Sequence, residues 1–333
     1  MPTPVLVDNY GRKIDYLRLS VTEQCNLSCF YCRSNPGECI VGTGDALSLQ
    51  EFLAIGAAAS ELGFSRIRLT GGEPLIRKDL PEMVEGLTKL KGIRDLSLTT
   101  NGTLLPRFAQ KLAEAGLKRI NISLDSLDES SFQQITNGGV LNQVLEGIEA
   151  ALQYGLTPVK INVVLLKGIN DHEIVNFLKL TLEKEVDVRF IEYMPIGAQK
   201  MKWKDFFLPL ERVLIEGKSL GEFMPIEGEE GGGPAQYYKI EGAKGKIGLI
   251  TPLSRHFCDR CNRLRITFDG KIKPCLCSSE EYDLKPFLND KVLLKKAFKK
   301  AVMLKPDPGQ AAGDAEKRAI QYESQRDMTQ IGG

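Results

Sequence analysis

Histidine is almost missing from this chain: among 333 residues only His172 and His256 occur, and neither has a partner at metal-binding or catalytic spacing. That argues against His-built metal centres and against a His-activated nucleophile. Long apolar runs are missing as well, none approaching the roughly 18 uninterrupted residues of a membrane span. Met1 to Asn9 lacks the basic, apolar, small-residue order of an export signal, so the expectation is a cytoplasmic protein with no membrane partner. Excess charge of either sign is absent too. With 44 Lys and Arg against 43 Asp and Glu, the formal charge of +1 gives no bulk attraction for nucleic acid. The chain is 42% hydrophobic and 26% charged, enough to bury the core of one large domain and a smaller one, so disorder is not expected.

Cysteine is what the chain does have, eight in all, and six of them form two separated triplets: Cys25, Cys29 and Cys32, then Cys258, Cys261 and Cys275. In a reducing compartment such short spacings read as metal or catalytic sites rather than disulfides. Three thiolates are one fewer than a closed tetrahedral site needs, and the open position is where chemistry happens. An enzyme is therefore favoured over a scaffold. The first triplet, C-x3-C-x2-C, lets one loop wrap three irons of a cubane and leave the fourth without a protein ligand. A zinc knuckle is the competing reading, with Cys39 as a fourth ligand; a free thiol in a Gly-rich loop describes Cys39 better. Cys277, two residues beyond Cys275, is a second competitor, able to replace Cys275 or to close that site.

Short apolar runs at Leu17 to Val21, Arg66 to Thr70, Asp95 to Thr99, Arg119 to Leu124, Val159 to Leu165 and Val188 to Tyr193 predict strands. Segments such as Leu49 to Leu62 and Leu80 to Leu90 carry helical spacing between them, so about six β/α units with right-handed crossovers follow. A full barrel takes about 250 residues and this pattern ends near residue 215, which predicts an α/β fold with an incomplete (β/α)6 TIM-type barrel. Gly228 to Pro234 then opens a different pattern, with runs at Gln236 to Ile240, Lys246 to Ile250 and Leu264 to Phe268 expected as small antiparallel strands. The expected division is residues 1–220 for the barrel and 221–333 for a small C-terminal α+β domain holding the second triplet and a Gly332-Gly333 tail. Lys295, Lys296, Lys299 and Lys300 share a helix face read as solvated, with docking of an acidic electron donor as the weaker alternative. Glu216-Gly-Lys-Ser219 looks like the end of a phosphate-binding loop, but Arg212 stands where that motif's first glycine belongs and a helix precedes it.

Cys25-Asn-Leu-Ser-Cys29-Phe-Tyr31-Cys32 together with Gly71-Gly72-Glu73-Pro74 resembles the radical S-adenosylmethionine (SAM) enzymes. The resemblance implies that the open iron chelates the SAM methionine and that an electron from the cluster releases a 5′-deoxyadenosyl radical. Cys258-Asp-Arg-Cys261-Asn-Arg-Leu-Arg265 with Cys275 and the Gly-Gly ending resembles, more narrowly, the GTP 3′,8-cyclases of molybdenum-cofactor biosynthesis. Nearly the whole chain takes part, through Leu17-Arg18-Leu-Ser-Val-Thr, Arg68-Leu-Thr, Thr99-Thr-Asn-Gly, Ser123-Leu-Asp-Ser-Leu and Arg189-Phe-Ile-Glu. That likeness implies two [4Fe–4S] clusters, with the guanine of GTP at the open iron of the second. It also implies abstraction of the ribose 3′ hydrogen and joining of C3′ to C8.

Carried over residue by residue, the likeness implies SAM contacts at Tyr31, Gly72, Ser123 and Met194, and GTP contacts at Arg18, Arg68, Thr99, Lys160, Arg263, Leu264 and Arg265. The basic positions gain weight from an expected placement at strand ends and beside cluster cysteines, and Arg offers phosphate a bidentate fork. Gly72 is expected where backbone approaches methionine; Glu73 is as apt to orient its loop as to touch ligand. Gly332 and Gly333 are expected to reach the active site, since residues without side chains can thread a narrow cavity. A low-potential donor such as flavodoxin or ferredoxin, a homodimer and a downstream cyclic pyranopterin monophosphate synthase are the implied partners. Arg33-Ser34 departs from the Met-Pro often found there in the family. A radical SAM peptide-modifying enzyme with an auxiliary cluster is the alternative, and a zinc or iron–sulfur electron-transfer protein a more distant one.

Overall fold

The computed structural model describes residues 5–32, 46–196, 203–227, 233–311 and 313–332. Cys39, Arg33, Ser34, Gly333 and most of the Gly-rich loop that opens at Gly228 lie outside the described residues. A small hairpin of β1 (Leu6–Val7) and β2 (Lys13–Ile14) precedes the barrel strands β3 (Tyr16–Ser20), β4 (Arg66–Thr70), β5 (Asp95–Thr100), β6 (Arg119–Ser123), β7 (Val159–Leu165) and β8 (Val186–Glu192). Six short strands complete the set: β9 (Phe223–Ile226), β10 (Gln236–Ile240), β11 (Ile247–Ile250), β12 (Arg263–Ile266), β13 (Lys271–Lys273) and β14 (Tyr282–Asp283).

The helices are α1 (Leu49–Glu61), α2 (Leu80–Thr88), α3 (Leu105–Glu114), α4 (Glu129–Thr136), α5 (Leu141–Gln153), α6 (Ile174–Glu183), α7 (Trp203–Phe206), α8 (Glu211–Glu216), α9 (Lys291–Met303), α10 (Ala315–Ile320) and α11 (Met328–Ile331). Their starts follow from local chemistry. Ser48 accepts from the Glu51 amide while the Glu51 side chain accepts from the Ser48 amide, a reciprocal cap that fixes the first turn of α1. Phe52, Ile55, Ala58 and Ala59 then form its buried face, each large side chain contributing about 1.5–3 kcal/mol.

One sheet of twelve strands runs in the order β14-β13-β12-β3-β4-β5-β6-β7-β8-β11-β10-β9. The six barrel strands arise as expected, but two C-terminal strands correct the sequence reading. β11 pairs in parallel with β8 and β12 pairs in parallel with β3, so both extend the barrel rather than forming a separate antiparallel sheet. Among the described residues, the antiparallel pairs of this sheet are β14-β13, β13-β12, β11-β10 and β10-β9, at its two edges. β14 and β9 do not meet, which leaves the barrel open.

The lysine face of α9 also differs in part from a solvated stripe. Lys291 and Lys295 pair with Glu61 of α1, Lys295 at 3.1 Å, and the Lys300 ammonium sits 4.4 Å from the centre of the Tyr282 ring, whereas Lys296 and Lys299 are exposed. Glu216 to Ser219 runs from the end of α8 into a 3-10 turn, with no strand before it, as a decoy should.

Candidate active site

Both cysteine triplets line a single cavity of about 1350 Å³ that occupies the bore of the open barrel. Cys25, Cys29 and Cys32 follow β3 at the C-terminal ends of the strands, where barrel active sites form. Cys258 and Cys261 precede β12, and Cys275 follows the antiparallel β13, which places them at the opposite, N-terminal end of the bore. Pockets for one small ligand usually run to about 300–1,000 Å³. This one has room for two.

Sheet register sets the bore lining. Arg265, Arg18, Arg68 and Ser97 stand side by side on β12, β3, β4 and β5, because the period of two sends alternate residues inward at one height. Arg18 and Arg68 therefore sit in mid-strand, inside the bore, and not at strand ends as the sequence reading expected. Arg18, Arg68, Lys160 and Arg265 are all at least 91% buried. The Arg68 Nε donates to Ser97 Oγ at 3.2 Å and the Lys160 ammonium lies 3.7 Å from Asp187. Burial, then the neighbouring Arg265 and Arg68, holds Arg18 well below the usual guanidinium range, and burial brings Arg68 and Arg265 down to about 10. Like charges crowded away from water are costly until an anion joins them.

Arg263 faces the same cavity, stacked 5.0 Å from the centre of the Phe257 ring. Leu264 does not join it. Its fully buried side chain lies on the opposite face of β12, among the core residues, so no side-chain contact with a nucleotide is available there. The Thr99 hydroxyl lines the cavity, buried and without a hydrogen-bond partner among the described residues, poised for a ligand.

Arg189 received no role from the sequence, although it belongs to a stretch quoted for the resemblance. It is buried in the cavity wall and held by Asn162 Oδ1 at 2.9 Å and Asn121 Oδ1 at 2.5 Å, neutral acceptors that leave its charge uncompensated. Gly248 is its register partner on β11, and a Cβ there would stand 2.8 Å from the Arg189 side chain. An Arg in mid-run of a strand is the sequence signal for it, while the glycine that faces it emerges only with the strand pairing.

The loop around the first triplet is fixed by polar contacts. The Cys32 amide donates to the Cys29 carbonyl at 3.0 Å, and the Asn101 side-chain amide approaches Cys25 Sγ at 3.8 Å. The Tyr31 hydroxyl donates to Asp125 Oδ2 at 2.5 Å, while the other Asp125 oxygen accepts from the Val164 amide. Burial pushes Asp125 up to about 6. Ser123 and Met194 line the cavity at the ends of β6 and β8.

Gly72 has a steric requirement within the protein itself, beside the approach to methionine expected from the sequence. A Cβ there would stand 2.2 Å from the Gln24 carbonyl oxygen, so the close approach is to the protein's own cysteine loop. Glu73 orients its own loop: wholly buried, its carboxylate accepts from the Leu75 amide, the Thr100 hydroxyl and the Asn101 amide, tying the loop after β4 to the end of β5.

At the second triplet the Cys277 amide donates to Cys275 Sγ at 3.4 Å. A hydrogen bond between the two side chains holds Cys275 well below the usual thiol range, and that side-chain bond, then burial, raises Cys277. Gly332 is buried, with φ +72°, and its carbonyl accepts from Arg265 Nη1. A Cβ would stand 2.4 Å from the Thr70 side chain, so this half of the tail docks on the barrel wall in a way glycine permits.

Among the described residues no three Cys, His, Asp or Glu side chains converge on one metal ion. Thiolates that bind separate irons of a cubane do not need to. Two sets of three half-buried thiols opening into one cavity, with N–H donors reaching Cys25, Cys261 and Cys275, fit a pair of site-differentiated iron–sulfur clusters.

Comparison with known proteins agrees with that construction. Residues 19–181 match the Radical SAM superfamily and residues 186–310 match Molybdenum Cofactor Synthesis C. A GTP 3′,8-cyclase of Alkaliphilus oremlandii is 45% identical over 327 residues, covering 98% of this chain and 99% of its own. Another, from Peptoclostridium acidaminophilum, is 49% identical over 281 residues, covering 84% and 86%. Among solved structures, Streptococcus suis SuiB bound to S-adenosylmethionine superposes with a TM-score of 0.59 at 16% identity over 89% of this chain. The chain spans 64% of that protein's length, and the likeness is one of fold.

The open barrel with its three-cysteine loop defines a radical SAM protein. The chain belongs to the GTP 3′,8-cyclase family, which acts at the first step of molybdenum-cofactor biosynthesis.

Proposed function

We propose that this chain converts GTP to (8S)-3′,8-cyclo-7,8-dihydroguanosine 5′-triphosphate inside the barrel bore. The observation that carries the reading is the placing of two three-thiol sets at opposite ends of one cavity whose middle is lined by buried cations. SAM belongs at the end near Tyr31, Gly72, Ser123 and Met194, and GTP at the end near Cys258, Cys261 and Cys275. When bound, the clusters supply the electron that cleaves SAM and an iron that holds guanine. The protein's own work is positional and electrostatic. Arg18, Arg68, Lys160, Arg189, Arg263 and Arg265 meet the roughly four negative charges of a triphosphate, guanidinium forks matching phosphate oxygens in pairs. The Thr99 hydroxyl adds a contact to the nucleotide, and Leu264 serves by packing behind β12.

Tyr31 and Asp125 brace the first cysteine loop, while Gly332, through its carbonyl, orients Arg265, with Gly333 extending the tail. Residues 1–220 are assigned to the radical SAM barrel, which also turns Arg18, Arg68, Thr99, Lys160 and Arg189 toward GTP, and 221–333 to the second cluster and GTP, although their strands share one sheet. A flavodoxin or ferredoxin as electron donor, a homodimer, a cytoplasmic location and delivery of product to a cyclic pyranopterin monophosphate synthase complete the reading. No helix among the described residues is long and apolar enough to cross a membrane. Anaerobic reconstitution followed by SAM, dithionite and GTP tests it: 5′-deoxyadenosine and a cyclised nucleotide are expected together. Absence of 5′-deoxyadenosine defeats the radical reading, and 5′-deoxyadenosine without cyclised nucleotide favours a peptide-modifying enzyme.

A further inference from the structure

Lys305 lies just beyond α9, 4% exposed, with its ammonium directed into the base of the second triplet. It donates to the Arg263 carbonyl at 2.8 Å, to the Pro274 carbonyl at 2.9 Å and to Cys261 Sγ at 3.8 Å. All three N–H directions are thereby used on the two loops that carry Cys261 and Cys275. Pro306, next in the chain, accepts from Arg12 Nη2 at 2.7 Å, and Arg12 Nη1 donates to the Cys258 carbonyl at 2.8 Å. Lys305 directly, and Pro306 through Arg12, thus tie together the stretches that supply the second triplet's thiolates.

The two cations differ in one respect. Arg12 has its own carboxylate, Asp8 at 2.6 Å, whereas Lys305 pairs with no Asp or Glu among the described residues. A buried ammonium without an anion is strongly disfavoured. Its counter-charge must be the thiolates themselves, or whatever they ligate.

We propose that Lys305 is a positioning residue of the second cluster: it holds the Cys261 and Cys275 loops together and, as the cluster's counter-ion, raises its reduction potential. The proposal rests on the reading that Cys258, Cys261 and Cys275 carry a cluster. Adding an electron increases negative charge beside a fixed ammonium, so the reduced state gains more from Lys305 than the oxidised state. Charge and hydrogen bonds to sulfur are the recognised settings of cluster potential.

The test uses the full chain carrying Ala at Cys25, Cys29 and Cys32, so that only the second cluster is reconstituted, with iron counted and the potential titrated by electron paramagnetic resonance. Lys305→Met is expected to keep its iron and to be reduced at least tenfold less favourably, a shift of about 59 mV to more negative potential for one electron. Lys305→Arg, which keeps the charge, is expected to stay within that shift of the parent. An unchanged potential in an iron-replete Lys305→Met overturns the proposal. Should Lys305→Met fail to hold iron, Lys305→Gln keeps amide donors without charge. A lowered potential there supports the proposal and an unchanged one overturns it. Loss of iron in both neutral variants with retention in Lys305→Arg supports a counter-ion, while loss in all three overturns it. A parent without iron overturns the cluster reading first, and is told apart from the other failures by that count.

Discussion

Glu73 shows how a motif residue acts through the fold. Its two oxygens accept three hydrogen bonds, yet burial outweighs them and pushes its pKa from an ordinary 4.5 up to about 7. The folded chain therefore binds this proton more tightly than the unfolded one, and the stability so gained is complete below about pH 4.5 and lost as pH rises through about 7. Glu73→Gln removes that dependence and turns one amide donor against a donor, at a cost of about 1–3 kcal/mol. Denaturation from pH 5 to 8 should show the variant less stable at pH 5 and the gap narrowing by pH 8; a constant gap would count against the assignment. Neighbours on β12 separate just as clearly. Leu264→Ala should cost about 2–5 kcal/mol of stability by emptying core volume, whereas Arg265→Ala should weaken GTP binding with the fold retained, as calorimetry of each variant would show. Sequence resemblance grouped the two, because a motif records adjacency in the chain and not the alternation that sends one side chain inward and the next outward.

The six barrel strands were legible within two residues because apolar core residues recur at every second position, with the polar ones between them turned into the bore. Pairing partners were not. β11 and β12 are four residues each, too short to carry a pairing signal, and their parallel joining to β8 and β3 depends on contacts far along the chain. That joining matters to the site, for it brings Arg263 and Arg265 into the bore and puts the second triplet at its far end. The loop after β4 gives an element-level test. In Gly72→Ala the new Cβ would meet the Gln24 carbonyl at 2.2 Å, and Gln24 leads directly to Cys25. Neither partner is a flexible side-chain tip, so the cysteine loop must shift. Reconstituted Gly72→Ala should lose about four of about eight irons, the first cluster's share, with the second cluster's signal kept. Full iron content with normal 5′-deoxyadenosine release would show that the loop tolerates the displacement.

Across the whole molecule, a formal charge of +1 conceals a concentration of positive charge at the centre. The sequence total excluded a charge-driven nucleic-acid partner but could not reveal that Arg18, Arg68, Arg189 and Arg265 converge in one bore, whose acids Asp15, Asp95, Asp125, Glu192 and Asp259 stand toward its two ends. Crowded guanidinium groups oppose folding of the ligand-free chain, and an anion between them reverses the sign. A ligand that binds only the folded state stabilises it by about 2.7 kcal/mol when present at 100 times its Kd. Because the cations are matched to phosphates rather than to the base, at equal concentration GTP should raise the melting temperature most, GDP less and guanosine least. Arg189→Met should reduce the GTP response while leaving guanosine's small effect in place. Thermal unfolding of the anaerobically reconstituted protein measures both. Equal shifts from GTP and guanosine would move the recognition from the bore's cations to the guanine end of the cavity.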